Sequence, residues 1–134
     1  MLPAVALDHV GIAASTAEGQ PLARALGAGS LRLQEMRSGV AIARFGPDER
    51  LELVTPARPG SPIERFLERR GPGLHHVAFQ VDEPLLSVLE GLRAVGLEPV
   101  GGVEPSSDGR PSLFLHPSTT GGVLVELVEG PRRS

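Results

Sequence analysis

The sequence contains no cysteine, lysine, tyrosine or tryptophan, and each absence removes a class of function. Without cysteine there is no disulfide framework, no cysteine-ligated zinc or iron–sulfur centre and no thiol nucleophile. Without lysine, Schiff-base chemistry and a lysine general base are excluded, and all 13 basic residues are arginine. Aromatic residues make up only 3% of the chain, which leaves few platforms for stacking bases or sugars.

The charge balance and the length indicate an ordinary globular chain. The formal net charge is −3 and the pI is about 5.8, so neither nucleic acid nor an anionic membrane is an expected partner. With 134 residues, 40% of them hydrophobic, the chain can bury a normal core. The first residues form neither a basic leader nor a long apolar run, so we expect a cytoplasmic location and no membrane span.

A pattern of strand, helix and three strands occurs twice along the chain. In the first copy, Ser15 and Glu18 have the spacing of a capping box, and Gly27 ends the helix that follows. In the second copy, Gly96 is the expected end of the helix. The predicted strands are 5–14, 31–36, 40–45, 51–55, 74–81, 97–103, 113–116 and 122–128, and the predicted helices follow Ser15, begin at Ser61–Pro62, and span 84–95.

An internal repeat places one histidine and one glutamate at matching positions of the two copies. Residues 7–10 read Leu-Asp-His-Val and residues 74–77 read Leu-His-His-Val. The sequence Glu-Leu-Val follows an aliphatic residue at both Leu51 and Val125. Each copy therefore has a histidine on its first strand and a glutamate on its last strand.

The repeat also defines the expected domain organisation. We predict one domain, 1–134, made of pseudo-repeats 5–56 and 72–129 that are joined by a helical linker, 57–71.

The four repeated residues, His9, Glu52, His76 and Glu126, are predicted to hold one divalent metal ion. Each has aliphatic neighbours in its strand, and burial of an unpaired carboxylate costs several kcal/mol, roughly. A lone histidine in such a strand is more often structural, but two residue types repeated in register require two independent coincidences. Two nitrogen and two oxygen ligands suit Co²⁺, Ni²⁺, Mn²⁺ or Zn²⁺, with Fe²⁺ also compatible.

Two further histidines have different expected roles. His75 precedes His76 in a strand and should face the other side of the sheet, as a hydrogen-bonded scaffold residue. His116 lies at the end of a predicted strand, before a proline, and is a candidate substrate contact.

Three segments resemble the vicinal oxygen chelate (glyoxalase/bleomycin resistance/dioxygenase) superfamily. They are Leu-Asp-His-Val-Gly-Ile-Ala at 7–13, the run from Ser61 to Phe79 that contains Gly-Leu-His-His-Val-Ala-Phe, and the run from Phe114 to Glu129 that contains His-Pro-Ser-Thr-Thr-Gly-Gly. The last two segments resemble most closely the branch that epimerises methylmalonyl-CoA.

The resemblance implies an α+β fold of two βαβββ modules forming a cupped mixed sheet, and a homodimer. Its metal ligands match His9, Glu52, His76 and Glu126. It also implies an acyl-CoA thioester as substrate, whose α-proton is removed to give a metal-stabilised enolate, with Glu126 as the candidate acid/base. Some relatives carry a second acid/base carboxylate where this chain has Ile42.

Two other activities are consistent with the resemblance. A glyoxalase I-type lyase uses the same ligand set on a glutathione hemithioacetal. A ligand-sequestering protein of the bleomycin-resistance type does not catalyse a reaction, and such proteins lack the four ligands that this chain has.

Overall fold

The computed structural model describes residues 4–132, apart from the side chains of Ala4 and Val5. Its strands are β1 (Ala4–Ala13), β2 (Gln34–Glu35), β3 (Val40–Phe45), β4 (Leu51–Pro56), β5 (Gly73–Val81), β6 (Pro99–Pro105), β7 (Pro111–Leu115) and β8 (Val125–Glu129). Its α-helices are α1 (Thr16–Ala25), α2 (Pro62–Arg70) and α3 (Leu85–Ala94). The strands belong to one mixed sheet, in the order β2-β3-β4-β1-β5-β8-β7-β6.

The chain divides into two compact units whose boundaries fall inside strands. One unit is residues 9–75, and the other combines residues 76 onward with Asp8 and the strand residues before it. Strands β1 and β5 therefore each supply residues to both units. The pseudo-repeat boundaries, which concern sequence similarity, stay a prediction.

In the unit of residues 9–75, helix α1 covers one face of the sheet. β1 pairs parallel with β4, β4 pairs antiparallel with β3, and β3 pairs antiparallel with β2. Alternate residues of β3 are buried, as expected for a strand covered on one side. The buried cluster beneath α1 consists of Ala14, Ala23, Ala43, Phe45 and Leu53.

Helix α1 begins with the predicted capping box and approaches the sheet closely at a glycine. Ser15 Oγ accepts a hydrogen bond from Glu18 N at 3.0 Å, and Glu18 Oε1 accepts one from Ser15 N at 2.8 Å. Gly19 is buried, and a Cβ at this position would lie 2.8 Å from Leu53 Cδ1. Glycine therefore lets the first turn of α1 pack directly on β4.

Helix α2 covers the other face of the same strands. Ser61 Oγ accepts a hydrogen bond from Glu64 N at 3.2 Å, which caps the helix as predicted. Ile63 is buried in a cluster with Ala13 and Val54. Since Leu53 and Val54 are successive residues of β4, they point to opposite faces, and the two helices bury both.

The unit that contains residues 76–132 repeats this plan with helix α3. β5 pairs parallel with β8, β8 antiparallel with β7, and β7 antiparallel with β6. The core beneath α3 consists of Val81, Leu85, Val88, Leu92, Leu113, Leu115 and Leu127. The N-terminus of α3 is capped from β8, because Glu129 Oε1 accepts a hydrogen bond from Leu85 N at 3.0 Å.

The order of helices and strands confirms the sequence prediction, with one correction. The predicted strand 31–36 is reduced to Gln34–Glu35, both exposed. Residues 32–35 are all exposed, so this edge has no buried face to extend the pairing. Within residues 4–132, no helix has the length and apolar character needed to cross a bilayer.

Candidate metal centre

His9 and Glu52 form a buried pair on two adjacent parallel strands. His9 lies on β1 and Glu52 on β4, and their side chains are 3% and 4% exposed. His9 Nε2 lies 3.6 Å from Glu52 Oε1. This distance is longer than a normal N–H···O hydrogen bond, and it suits two ligands that share one ion.

His76 and Glu126 form the corresponding pair in the other unit. His76 lies on β5 and Glu126 on β8, with Nε2 3.5 Å from Oε1 and both side chains buried. Phe114, which stands directly opposite Glu126 in the β7–β8 ladder, packs edge-on against the His76 ring at 5.8 Å between centroids. The aromatic edge limits the rotation of the imidazole and keeps water from one side of it.

The two pairs have the same strand register. The β1–β4 ladder places Gly11 opposite Glu52, and the β5–β8 ladder places Ala78 opposite Glu126. In both ladders the glutamate stands opposite the second residue after the histidine. Because side chains two apart in a strand share a face, each glutamate projects on the same side as its histidine. The repeat in the sequence is therefore also a repeat of geometry.

The positions of the ligand atoms fit a divalent cation. His9, His76 and Glu126 are buried, and each offers one atom, a ring nitrogen or a carboxylate oxygen, that could bind a metal ion. Ligands held about 2.1 Å from one ion are about 3.0 Å apart in adjacent positions of an octahedron and about 4.2 Å apart in opposite positions. Imidazole nitrogen and carboxylate oxygen are donors that divalent transition metals accept. The nitrogen–oxygen distances within the two pairs, 3.6 Å for His9 and Glu52 and 3.5 Å for His76 and Glu126, lie between the adjacent and the opposite separations.

Arg44, which the sequence analysis did not single out, lies beside Glu52. The two residues are direct partners in the β3–β4 ladder, and Arg44 Nε lies 3.8 Å from Glu52 Oε2. Arg44 is 17% exposed. The two oxygens of Glu52 thus have different neighbours, the imidazole of His9 on one side and a guanidinium on the other. The sequence feature that could have identified Arg44 is an arginine at an alternate position of an otherwise apolar strand.

A second buried feature that the sequence analysis missed is an ion pair between Asp8 and Arg110. Arg110 donates to both oxygens of Asp8, at 2.8 and 3.0 Å, and its Nε donates to Asp108 at 2.8 Å. Gln80 Nε2 also donates to Asp8, at 3.0 Å. Burial lowers the pKa of Arg110, but the hydrogen bonds that Arg110 donates to Asp8 and Asp108, together with the charges of these carboxylates, outweigh this effect and leave the pKa above its ordinary value.

The two remaining histidines lie at other points of the fold. His75 is half-buried and packs edge-on against Phe66 of α2, with 4.9 Å between ring centroids. His116 is exposed directly after β7, where its Nδ1 accepts a hydrogen bond from Ser118 N at 3.1 Å. The imidazole of His116 therefore caps the short 3₁₀ turn Pro117–Thr119.

The fold and the paired sites define a class of protein. The sequence profile of the Glyoxalase/Bleomycin resistance protein/Dioxygenase superfamily matches residues 8–114. The chain belongs to this superfamily, and its strand order is that of the α+β fold predicted for two βαβββ modules.

Similar proteins within the superfamily include epimerases of acyl-CoA thioesters. The chain is 39% identical over 84 residues to an ethylmalonyl-CoA/methylmalonyl-CoA epimerase of Cereibacter sphaeroides, a match that covers 60% of this chain and 62% of the relative. It is 33% identical over 132 residues to the uncharacterised protein YqjC of Bacillus subtilis, with 92% and 91% of the two chains covered. The chain thus spans less than two thirds of the length of that epimerase.

Solved structures of epimerases share the fold along nearly the whole chain. The methylmalonyl-CoA epimerase of Mycobacterium tuberculosis superposes with a TM-score of 0.83 at 29% identity, covering 98% of this chain and 92% of that one. A variant of the Streptomyces coelicolor methylmalonyl-CoA epimerase, solved in complex with 2-nitronate-propionyl-CoA, has a TM-score of 0.79 at 26% identity, with 96% and 99% covered.

Proposed function

We propose that this protein is a metal-dependent epimerase of methylmalonyl-CoA or a related acyl-CoA thioester. The observation that carries the proposal is the pair of buried histidine–glutamate sites in identical strand register, in a chain whose fold matches an epimerase over 98% of its length. The acyl-CoA analogue bound by the Streptomyces coelicolor enzyme supports the substrate class. Fold alone would not suffice, because one fold hosts many activities.

The residues proposed to hold the ion are His9, Glu52, His76 and Glu126. A divalent ion bound there would supply Lewis-acid stabilisation of the negative charge that develops on the thioester oxygen. Around it, the buried position of all four side chains keeps water away and strengthens electrostatic interactions within the site. Co²⁺, Ni²⁺, Mn²⁺ and Zn²⁺ all remain compatible with this set.

Glu126 is the proposed acid/base for the α-proton. Its Oε1 lies 3.5 Å from His76 Nε2, and its side chain is buried with Phe114 as its cross-strand partner. We propose that Glu126 accepts the proton from the α-carbon and that a second group returns a proton to the opposite face. Ile42 has no exchangeable proton, so the second carrier is not a residue at that position of β3.

His116 is the proposed substrate contact. It follows β7 directly, with φ −64° and ψ 126°, and lies two residues after Phe114, the cross-strand partner of Glu126. With Nδ1 occupied by Ser118, Nε2 is the ring nitrogen that points away from the turn. A hydrogen bond from this nitrogen to the acyl or pantetheine part of the substrate would help to orient the thioester.

The activity is tested by following exchange of the α-proton. The purified protein, loaded with Co²⁺, is incubated with methylmalonyl-CoA in D₂O, and deuterium at the α-carbon is measured by mass spectrometry. Wild-type protein should incorporate deuterium. Glu126→Gln should incorporate it at least about 100-fold more slowly, as expected on removal of a general acid/base. Glu90→Gln, an exposed change on α3, is the matched control and should exchange at the wild-type rate.

The other activities are distinguished by the same preparation. A metal-loaded protein that exchanges no proton, but converts the hemithioacetal of methylglyoxal and glutathione, would be a glyoxalase I-type lyase. A protein that binds no divalent ion, yet retains an acyl-CoA on dialysis, would be a ligand-sequestering protein. The homodimer and the cytoplasmic location stay predictions, the first of which sedimentation equilibrium measures directly.

A further inference from the structure

The carboxylate of Glu52 lies between two nitrogen groups. Its Oε1 is 3.6 Å from His9 Nε2 and its Oε2 is 3.8 Å from Arg44 Nε. We infer that Arg44 is a positioning residue, which turns one oxygen of Glu52 away from the ion and sets the net charge of the metal centre. The inference rests on the proposed function in one respect, namely that His9 and Glu52 help to bind a divalent ion.

The strand pairing fixes Arg44 on the side of the sheet where the ligands lie. Arg44 and Glu52 are direct cross-strand partners and therefore project from the same face. Ile42, two residues earlier on that face, stands opposite Val54, which is covered by α2. Arg44 is thus the point at which this face of β3 changes from apolar packing to charge.

Low exposure separates this ion pair from the surface ion pairs of the structure. Arg93 Nε and Glu98 Oε1 are also 3.8 Å apart, but their side chains are 64% and 57% exposed. Such pairs are screened by water and contribute little. For Arg44 and Glu52 the exposed fractions are 17% and 4%, so the charge of the guanidinium acts on its surroundings through much less water.

The consequence concerns the charge of the loaded centre. Two carboxylate ligands, Glu52 and Glu126, would together cancel the charge of a divalent ion. A guanidinium beside Glu52 restores about one positive charge to the group. A centre that stays positive holds its ion less tightly, and it stabilises negative charge on a bound oxygen more strongly. Arg44 therefore lowers the affinity of the site for the ion and raises the strength of the bound ion as a Lewis acid.

The test compares Arg44→Met, Arg44→Lys and the surface control Arg93→Met. Binding of Co²⁺ to chelator-treated protein is measured by isothermal titration calorimetry, without substrate. Arg44→Met should bind Co²⁺ at least about tenfold more tightly, the lower limit that Coulomb's law gives at the dielectric constant of water when a unit charge several ångströms from a dication is removed. Arg44→Lys keeps the charge and should bind within about twofold of wild type. Arg93→Met should be unchanged.

Activity provides a second readout of opposite sign. In the proton-exchange assay, Arg44→Met should lower kcat while the KM for methylmalonyl-CoA changes little, because the lost interaction acts on developing charge. Tighter Co²⁺ binding together with a lower kcat supports the inference. A purely structural role would weaken the binding of Co²⁺.

Weaker or unchanged Co²⁺ binding in Arg44→Met overturns the inference. If Arg44→Met does not fold, the neutral and polar Arg44→Gln takes its place: Co²⁺ binding at least about tenfold tighter than wild type supports the inference, and weaker or unchanged binding overturns it. If wild-type protein binds no Co²⁺ at all, that result would instead refute the metal centre and the proposed function together. The two failures are therefore distinguishable.

Discussion

Arg110 donates hydrogen bonds to both carboxylate oxygens of Asp8, a residue 102 positions earlier in the chain. Their side chains are 1% and 0% exposed. Asp8 is the residue immediately before His9, so the ion pair fixes β1 next to a proposed metal ligand. The same guanidinium also donates to the carbonyl of Gly130, directly after β8. One side chain thereby joins the middle of β1 to the end of β8.

Replacing Arg110 should destabilise the protein strongly. Arg110→Met leaves Asp8 buried without its cation, and removal of one partner of a buried pair costs about 3–5 kcal/mol. The measurement is urea unfolding of chelator-treated protein, which separates folding from metal binding. The surface change Arg93→Met should cost less than about 1 kcal/mol. A loss in Arg110→Met as small as that of the control would contradict the assignment of a buried, paired charge.

This ion pair was not predictable from the sequence. The segment around Arg110 has the composition of a turn, and nothing in its local pattern indicates burial or a partner near the start of the chain. Asp8 could be recognised as an acidic residue within an apolar strand, but its cation is fixed only by tertiary structure. Long-range pairing of charges depends on which strands become neighbours, and periodicity within a segment carries no such information.

The proposed ligands, by contrast, were predicted because the chain repeats itself. His9 and His76, like Glu52 and Glu126, are recognisable by comparing one half of the sequence with the other. The identical register of β1–β4 and β5–β8 explains why that comparison works, since similar halves fold into similar ladders. Arg44 has no counterpart in the second half, where Phe114 stands opposite Glu126, so the repeat could not identify it.

Two glycines in helices should respond to alanine with opposite sign. At Gly19 a Cβ would lie 2.8 Å from Leu53 Cδ1, and Leu53 is 1% exposed, so the added methyl has little room. Gly19→Ala should cost about 1–3 kcal/mol from overpacking, reduced by the higher helix propensity of alanine. Gly91 in α3 has no atom within 4 Å of the added Cβ. Gly91→Ala should stabilise by about 0.5–1 kcal/mol.

Thermal and urea unfolding of both variants measure this difference. Each glycine lies within a helix and neither has a positive φ, so backbone strain does not enter the comparison. Stabilisation in Gly19→Ala would show that Leu53 moves aside at little cost and that α1 does not depend on the close approach.

The capping box at α1 should make a small, pH-dependent contribution to stability. Hydrogen bonds with the Ser15 backbone and side chain lower the pKa of Glu18 below its ordinary value of 4.5. A carboxylate with a lowered pKa in the folded state stabilises that state above the unfolded pKa, and the contribution disappears as pH falls through the folded pKa. The Tm of wild type should therefore exceed that of Glu18→Gln at pH 7, and the difference should shrink as the pH falls below 4.5.

A double-variant series identifies the partner. In a Ser15→Ala background, Glu18→Gln should lower the Tm at pH 7 by less than it does in wild type, because the side-chain part of the box is already gone. An equal effect in both backgrounds would show that the bond from Ser15 N carries the whole contribution, and an effect that does not change with pH would show that the charge of Glu18 plays no part.

Removal of the divalent ion should lower the stability of wild-type protein by an amount that depends on the concentration of the ion. An ion that binds only the folded state adds about 2.7 kcal/mol at a free concentration 100 times its Kd. Chelation by EDTA should therefore lower the Tm of wild type, and added Co²⁺ should restore it.

His76→Asn keeps a polar side chain but removes the imidazole nitrogen that lies near Glu126 Oε1, so it should lose most of this Co²⁺-dependent rise. His75→Asn changes the neighbouring histidine, which contacts Phe66 of α2, and should keep the full rise even if its own Tm is lower. A Co²⁺-dependent rise that survives in His76→Asn would place the ion elsewhere in the molecule, since the loss of one buried ligand cannot leave the affinity of its own site unchanged.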